Sequence, residues 1–173
     1  SNPSGAGGGA LPGGIGWYRK HFSLSPDEKY DRFTVTFDGV YMNSTVYING
    51  HKLGTRPYGY STFEYDLTPY IYKKGDNVIA VKVDNSDQPN SRWYSGCGIY
   101  RHVWLTKTLK KAYIPQWGQY VATTPKGDVR VKVDFHANGS RMKLSIRNTI
   151  YDAAGKGVAR SQGNQHQELK GRK

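Results

Sequence analysis

The segment Asp31-Arg-Phe-Thr-Val-Thr-Phe-Asp38 alternates apolar and polar side chains without a break. Phe33, Val35 and Phe37 fall on one face, and the threonines between them fall on the other. Because successive side chains of a β-strand point to opposite faces of a sheet, this period of two predicts a half-buried strand. The segment therefore favours a sheet protein over a helical one.

A hairpin is predicted directly after this strand. Ser44-Thr-Val-Tyr-Ile48 and His51-Lys-Leu-Gly-Thr55 are separated by the dipeptide Asn49-Gly50. Both residues of a type I′ turn need a positive φ, and asparagine and glycine tolerate it better than other residues do. Asn-Gly between two strand-like segments is thus a strong hairpin signal.

Further strand patterns recur along the first part of the chain, at Phe63–Leu67, Val78–Val83 and Ile99–Leu105. Turn residues such as Lys74-Gly-Asp-Asn77 separate them, and no helical period lies between. The Gly-rich residues 1–16 are predicted to be a loop or linker. Short strands at about ten-residue spacing predict an all-β protein, specifically a sandwich or jelly roll.

The composition changes near residues 107–111, which predicts a domain boundary with one domain at 1–109 and a second at 110–173. Alternating apolar residues in Asp128–Phe135 and Met142–Ile150 predict opening strands of a second sandwich. An immunoglobulin-like domain needs about seven strands in ~100 residues. Residues 110–173 are too few for this, so part of an immunoglobulin-like sandwich is expected.

The net charge of +12 is unevenly distributed. Residues 1–109 hold 12 Lys and Arg against 9 Asp and Glu, whereas residues 110–173 hold 13 against 4. No recognition-helix or RNA-binding pattern accompanies the basic residues, so no nucleic-acid partner is expected. A solvated face, or one that meets an acidic neighbouring domain, accounts for them better. No apolar run is long enough to span a membrane, and no membrane partner is expected.

The sequence has no recognisable catalytic machinery, and the prediction is that this chain is not itself an active enzyme. There is no His-Glu-x-x-His motif, no Gly-x-Ser-x-Gly elbow and no phosphate-binding loop before a helix. A retaining glycosidase needs two carboxyl groups about 5–5.5 Å apart, and no such pair is predicted here. With a single cysteine, Cys97, and five scattered histidines, neither a metal site nor a cofactor is expected.

Polar and aromatic residues are concentrated between Asp84 and Leu105. Asn90, Ser91, Arg92, Trp93 and Tyr94 combine hydroxyl-binding groups with aromatic faces, which suits contact with a sugar. A capped loop pinned by its aromatic residues is an equally good interpretation of these residues alone. Arg101 shares its predicted strand face with Ile99 and Val103, so a buried guanidinium paired with a carboxylate is expected.

The same region resembles a known family. Arg92-Trp-Tyr-Ser-Gly-Cys-Gly-Ile-Tyr-Arg-His-Val-Trp-Leu105 is similar to the end of the N-terminal sugar-binding domain of glycoside hydrolase family 2, β-galactosidase type. Further matches are Gly14-Ile-Gly-Trp-Tyr-Arg-Lys20, Val46-Tyr-Ile-Asn-Gly50, Phe63-Glu-Tyr-Asp-Leu67 and Gly75-Asp-Asn-Val-Ile79. The likeness continues more loosely through Trp117-Gly118 and Thr123-Thr-Pro125, which resemble entry into the family's immunoglobulin-like domain.

The resemblance implies a galactose-binding-like jelly roll whose loop at Arg92 borders an active site built by a later (β/α)-barrel. Where some members have a sugar-binding aspartate, this chain has Ser91. The expected function is a non-catalytic N-terminal fragment of a retaining, exo-acting β-glycosidase, acting as scaffold and active-site rim. The expected partners are a β-galactoside-type glycan and the barrel domain, with homo-oligomerisation left open. A free carbohydrate-binding module and a purely structural domain are the alternatives.

Overall fold

The structure, a computed structural model, describes residues 13–87, 96–138 and 142–167. Within these ranges the chain forms fifteen β-strands and no α-helix, which confirms the all-β prediction. It divides into two compact units, Ser1–Thr108 and Leu109–Lys173. The described residues contain no helix long and apolar enough to cross a membrane.

Nine strands form the first unit. They are β1 (Ile15–Ser23), β2 (Arg32–Phe37), β3 (Val40–Tyr41), β4 (Ser44–Ile48), β5 (His51–Arg56), β6 (Phe63–Asp66), β7 (Asp76–Asp84), β8 (Gly98–Ile99) and β9 (Val103–Thr108). One antiparallel sheet has the order β1-β7-β4-β5 and a second has the order β6-β2-β9. The short strands β3 and β8 pair with each other at one end.

The hydrophobic core is made by the alternating residues of both sheets. Phe33, Val35 and Phe37 of β2 are almost completely buried, together with Val81 and Val83 of β7. The ring of Phe37 stacks on Phe63 with centroids 5.1 Å apart. Burying each such side chain contributes roughly 1.5–3 kcal/mol, so this face is the main source of stability for the sandwich.

The predicted hairpin is confirmed. Strands β4 and β5 are joined by Asn49 and Gly50, whose φ angles are 49° and 84°. The Asn49 side chain donates to the carbonyl oxygen of Tyr70 at 2.8 Å and to Asn77 Oδ1 at 2.9 Å, and its own Oδ1 accepts the Val78 N–H at 2.8 Å. Asn49 therefore links the turn to the neighbouring strand β7.

Strand β2 departs from the expected half-buried pattern. Thr34 and Thr36, on the face away from the core, are 0% and 1% exposed. The strand is the middle one of its sheet, and the Thr36 hydroxyl donates to Glu64 Oε2 at 3.0 Å on the neighbouring strand. Sequence alternation identified the strand but could not show that its polar face is also covered.

The predicted continuous strand Ile99–Leu105 is wrong. The chain bends at Tyr100–His102, so that β8 ends at Ile99 and β9 begins at Val103. The two short strands have different partners, because β8 pairs with β3 and β9 pairs with β2. The predicted loop over residues 1–16 also runs too far, since β1 begins at Ile15 and residues 1–12 lie outside the described ranges.

The second unit contains three two-stranded antiparallel pairs. They are β10 (Ala112–Tyr113) with β13 (His136–Ala137), β11 (Gln119–Thr123) with β12 (Val129–Val133), and β14 (Met142–Tyr151) with β15 (Gly157–Gln167). Strands β12 and β14 confirm the two strands predicted in this part of the chain. Its assignment as part of an immunoglobulin-like sandwich stays a prediction.

Candidate functional site

The described residues on either side of residues 88–95 are in contact with each other. Asn85 is 3% exposed, and its side-chain amide contacts Cys97 Sγ at 2.7 Å. The Asn85 N–H donates to the carbonyl oxygen of Gly14 at 2.9 Å. Before it, the Asp84 N–H donates to the Met42 carbonyl at 3.1 Å. The described residues on both sides of residues 88–95 therefore lie beside β3.

Asp84, just before Asn85, is held by polar contacts of its carboxylate. Its carboxylate accepts hydrogen bonds from the Ser86 hydroxyl at 2.6 Å and from Lys82 Nζ at 3.2 Å. These two bonds, that of Ser86 being the stronger influence, hold the pKa of Asp84 below its ordinary value. Asp84 therefore stays ionised at neutral pH and fixes the direction in which the chain leaves β7.

The sequence-predicted contact residues Asn90, Ser91, Arg92, Trp93 and Tyr94 lie outside the described residues. Arg101 is described, and it is exposed rather than buried. No carboxylate of the described residues forms an ion pair with its guanidinium. The prediction of a buried Arg101 pair is therefore wrong for this chain, because the bend at 100–102 interrupts the alternation that had placed its side chain beside Ile99.

A loop at residues 57–62 connects β5 to β6 and lies next to β3. The Asn43 N–H donates to the Pro57 carbonyl at 3.1 Å, and the Tyr100 hydroxyl donates to the Gly59 carbonyl at 2.8 Å. A side chain at Gly59 would collide with the Tyr41 ring, so only glycine allows the loop to lie this close to β3. The loop is therefore held by Asn43, just after β3, and by Tyr100, directly after β8.

Tyrosine rings gather around this loop. The centroids of Tyr41 and Tyr60 are 5.2 Å apart, and those of Tyr58 and Tyr60 are 5.8 Å apart with an interplanar angle of 69°. Tyr41 is buried, whereas Tyr58 and Tyr60 are 60% and 53% exposed. Tyr100 is also partly exposed beside them. We call Tyr41, Tyr58, Tyr60 and Tyr100 the tyrosine cluster.

A second aromatic group follows at the start of β9. Trp104 Nε1 donates to Asp38 Oδ2 at 2.9 Å, and the His102 ring stacks on Trp104 with centroids 5.3 Å apart. The Asp38 N–H donates to the His102 carbonyl at 3.0 Å, which keeps the bend against β2. His102 and Trp104 are largely exposed, so they add aromatic surface to this part of the unit. Asp38 adds one carboxylate.

This end of the unit combines flat apolar rings with hydroxyl, carboxylate and guanidinium groups. Rings stack on the C–H face of a pyranose, and the polar groups bond its hydroxyls. Tyrosine makes up 14 of the 173 residues, but this count does not predict the tyrosine cluster. Its members are far apart in the chain, and only the spacing Tyr58-Gly-Tyr60 beside a strand offered a local signal.

An open cavity of about 440 Å³ lies elsewhere in the unit, between the edges of β1 and β9. Its walls are predominantly aliphatic and aromatic, including Phe22, Val35, Val81, Val103 and Leu105. Such walls leave most sugar hydroxyls without a hydrogen-bond partner, so the cavity does not suit a sugar. The described residues also contain no group of three or more His, Cys, Asp or Glu side chains that could hold a metal ion.

Comparisons with known proteins agree with this geometry. Residues 11–109 match the family described as glycosyl hydrolases family 2, sugar binding domain. The chain is 50% identical over 163 residues to the β-galactosidase BoGH2A of Bacteroides ovatus, covering 91% of this chain and 19% of that protein. It is 43% identical over 158 residues to a putative β-glucuronidase of Formosa agariphila, covering 90% of this chain and 15% of that one.

Solved structures show the same fold. A glycosyl hydrolase family 2 member from Bacteroides cellulosilyticus superposes with a TM-score of 0.86 at 35% identity, over 95% of this chain and 22% of that one. A β-glycosidase from Bacteroides vulgatus gives a TM-score of 0.82 at 36% identity, over 94% and 21%. The chain therefore spans about a fifth of the length of the proteins it matches.

Proposed function

Because this chain belongs to glycoside hydrolase family 2, we propose that it is the scaffold and substrate rim of a retaining, exo-acting β-glycosidase. In this proposal the two catalytic carboxyl groups come from a barrel domain outside the chain. The chain contributes the sandwich that positions the barrel and a loop, residues 88–95, that meets the sugar. It performs no bond cleavage itself.

The observation that supports a rim is the contact between the described residues that flank residues 88–95. Asn85 contacts Cys97, and Asp84 is fixed by Ser86 and Lys82. A segment whose flanking residues are held together loses less conformational entropy when it binds a ligand than a free one does. Its polar and aromatic composition gives Arg92 and Trp93 the chemistry to orient a sugar ring.

A β-galactoside is the proposed substrate class. The relative with 50% identity is a β-galactosidase, and the one with 43% identity is named a putative β-glucuronidase. The two substrates differ at C6, where a galactoside has a hydroxymethyl group and a glucuronide has a carboxylate. Comparing the two p-nitrophenyl glycosides on the full-length protein separates them directly.

The rim is tested by Arg92→Ala in the full-length protein. Removing one contact to a buried sugar hydroxyl costs about 1–3 kcal/mol, which lowers kcat/KM by roughly 5- to 150-fold. Arg130→Ala is the matched control, since Arg130 is an exposed arginine in the second unit. Unchanged kcat/KM on both glycosides for the Arg92 variant would make the segment a structural loop that never meets the substrate.

A further inference from the structure

We propose that Tyr58 and Tyr60 form a second carbohydrate contact, a corner of two rings that binds a pyranose by stacking. It rests on the proposed function only for the class of ligand, since the position, shape and chemistry of the corner come from the described residues. It lies on the 57–62 loop, and neither tyrosine belongs to residues 88–95. The ligand is a neutral sugar ring of a glycan.

The loop that presents the corner is held in place before any ligand arrives. Arg56 Nη2 and Nε donate to Ser61 Oγ at 3.1 and 3.3 Å, which ties the first and last parts of the loop together. The Tyr100 hydroxyl holds the middle of the loop at the Gly59 carbonyl. Binding to such a preformed loop requires little ordering, which favours affinity even for a small contact area.

The two rings are largely exposed to solvent. Tyr58 and Tyr60 are 60% and 53% exposed, whereas Tyr41, beneath them, is 7% exposed and belongs to the buried part of the unit. A loop that is fixed by hydrogen bonds yet keeps two large rings in solvent is typical of a binding surface. Tyr41 supports the Tyr60 ring from below at 5.2 Å.

The geometry of the corner fits a pyranose. The two ring planes meet at 69° with centroids 5.8 Å apart, so the rings pack edge to face against each other. Both rings keep more than half of their surface exposed, and a sugar ring can stack its C–H face on the exposed part of one and contact the other with its rim. Arg56, the last residue of β5, directly precedes this loop, and its guanidinium is a hydrogen-bond donor for sugar hydroxyls.

The composition of this loop suits a sugar ring. Residues 56–62 read Arg-Pro-Tyr-Gly-Tyr-Ser-Thr and include no leucine, isoleucine, valine or methionine. The apolar surface is therefore made of flat rings and one proline, and flat rings can stack on the C–H face of a pyranose. Another domain of the full-length protein resting on this loop is the competing outcome in the experiment below.

Titration of the 173-residue chain with lactose and methyl β-galactoside, followed by amide ¹H–¹⁵N NMR spectra, tests the proposal. Saturable shifts at Tyr58–Ser61 with a Kd of about 1–10 mM are expected, since 1 mM corresponds to a modest binding free energy. Tyr58→Ala and Tyr60→Ala should each weaken binding about 2- to 12-fold, the range for one ring contact. Tyr60→Phe keeps the ring and should keep most of the affinity.

Tyr72→Ala is the matched control. Its ring is 52% exposed in the same unit but stacks on no other ring of the described residues. The proposal is overturned if a well-dispersed spectrum shows no shifts at about 50 mM sugar, far above the expected Kd. It is also overturned if the shifts survive in the Tyr58→Ala/Tyr60→Ala double variant.

The outcome is independent of the Arg92 experiment. If sugar binds at the corner while Arg92→Ala leaves kcat/KM unchanged, the rim fails and the corner stands. If Arg92→Ala lowers kcat/KM while sugar causes no NMR shifts at Tyr58–Ser61, the proposed rim is supported and the proposed tyrosine contact is overturned. In the second case, protection of Tyr58 and Tyr60 from solvent in the full-length protein would assign the corner to contact with another domain.

Discussion

The Tyr100 hydroxyl donates a 2.8 Å hydrogen bond to the carbonyl oxygen of Gly59, 41 residues earlier in the chain. This bond joins the bend before β9 to the loop that presents Tyr58 and Tyr60. It is the direct link between the region with sequence resemblance to the family and an aromatic surface that the resemblance did not identify.

Tyr100→Phe should remove this link while keeping the ring. We expect a loss of about 0.5–1.5 kcal/mol in the free energy of unfolding, the usual net value of one hydrogen bond. Faster hydrogen exchange at the amides of residues 58–61 should accompany it. Tyr72→Phe is the control, since its hydroxyl forms no hydrogen bond with the described residues. Equal exchange rates in wild type and Tyr100→Phe would mean that other contacts hold the loop.

The 173-residue chain should not hydrolyse p-nitrophenyl β-galactoside above the rate in buffer. Its sequence has no carboxyl pair with the predicted spacing of a retaining glycosidase. The full-length protein, assayed in parallel, is the positive control. Turnover that stays with the chain through repeated purification would contradict the proposal and place the catalytic groups within these residues.

Arg101→Ala should leave stability within about 0.5 kcal/mol of wild type, because the side chain is exposed. The measurement is urea denaturation of the chain. A buried ion pair would behave differently, since stranding its partner costs about 3–5 kcal/mol. A loss of that size would restore the buried pair that the sequence pattern had predicted.

Acid should destabilise the chain through Glu28. Its carboxylate meets Lys107 Nζ at 2.5 Å with only 8% of the side chain exposed, and this bond, above all, lowers the pKa of Glu28 from 4.5. A carboxyl group whose pKa is lower in the folded state stabilises the fold above the unfolded pKa. That contribution is lost as the pH falls through the lower, folded pKa.

Glu28→Gln should therefore flatten the decline of stability with acid below about pH 4.5. Lys107→Met should flatten it as well, because it removes the partner that lowers the pKa. Thermal unfolding of the three proteins between pH 3 and 7, roughly the range on either side of the ordinary carboxyl pKa, measures the effect. Three parallel curves would show that the pair does not couple folding to protons.

Local sequence chemistry was sufficient for much of the sandwich. Alternation identified β2 and β7, and Asn49-Gly50 identified the hairpin, because each signal acts within a few residues. The break between β8 and β9 has a different origin. It coincides with a change of pairing partner from β3 to β2, and strand pairing is set by tertiary structure.

The candidate site was less predictable for the same reason. The tyrosine cluster is assembled from three separate places in the chain, so its packing has no sequence period. Burial of Thr34 and Thr36 likewise depends on two neighbouring strands. The resemblance predicts a sugar contact near Arg92, which stays a prediction, whereas the tyrosine cluster is visible only in the described residues.

The Asn49-Gly50 turn also determines how the protein ages chemically. An asparagine followed by glycine deamidates when the backbone nitrogen of the glycine attacks the side-chain amide, which requires that amide to rotate freely. Here both amide hydrogens and the oxygen of Asn49 are engaged by Tyr70, Asn77 and Val78. The folded chain thus shields this labile dipeptide, so conversion of Asn49 to aspartate or isoaspartate reports the time that the chain has spent unfolded.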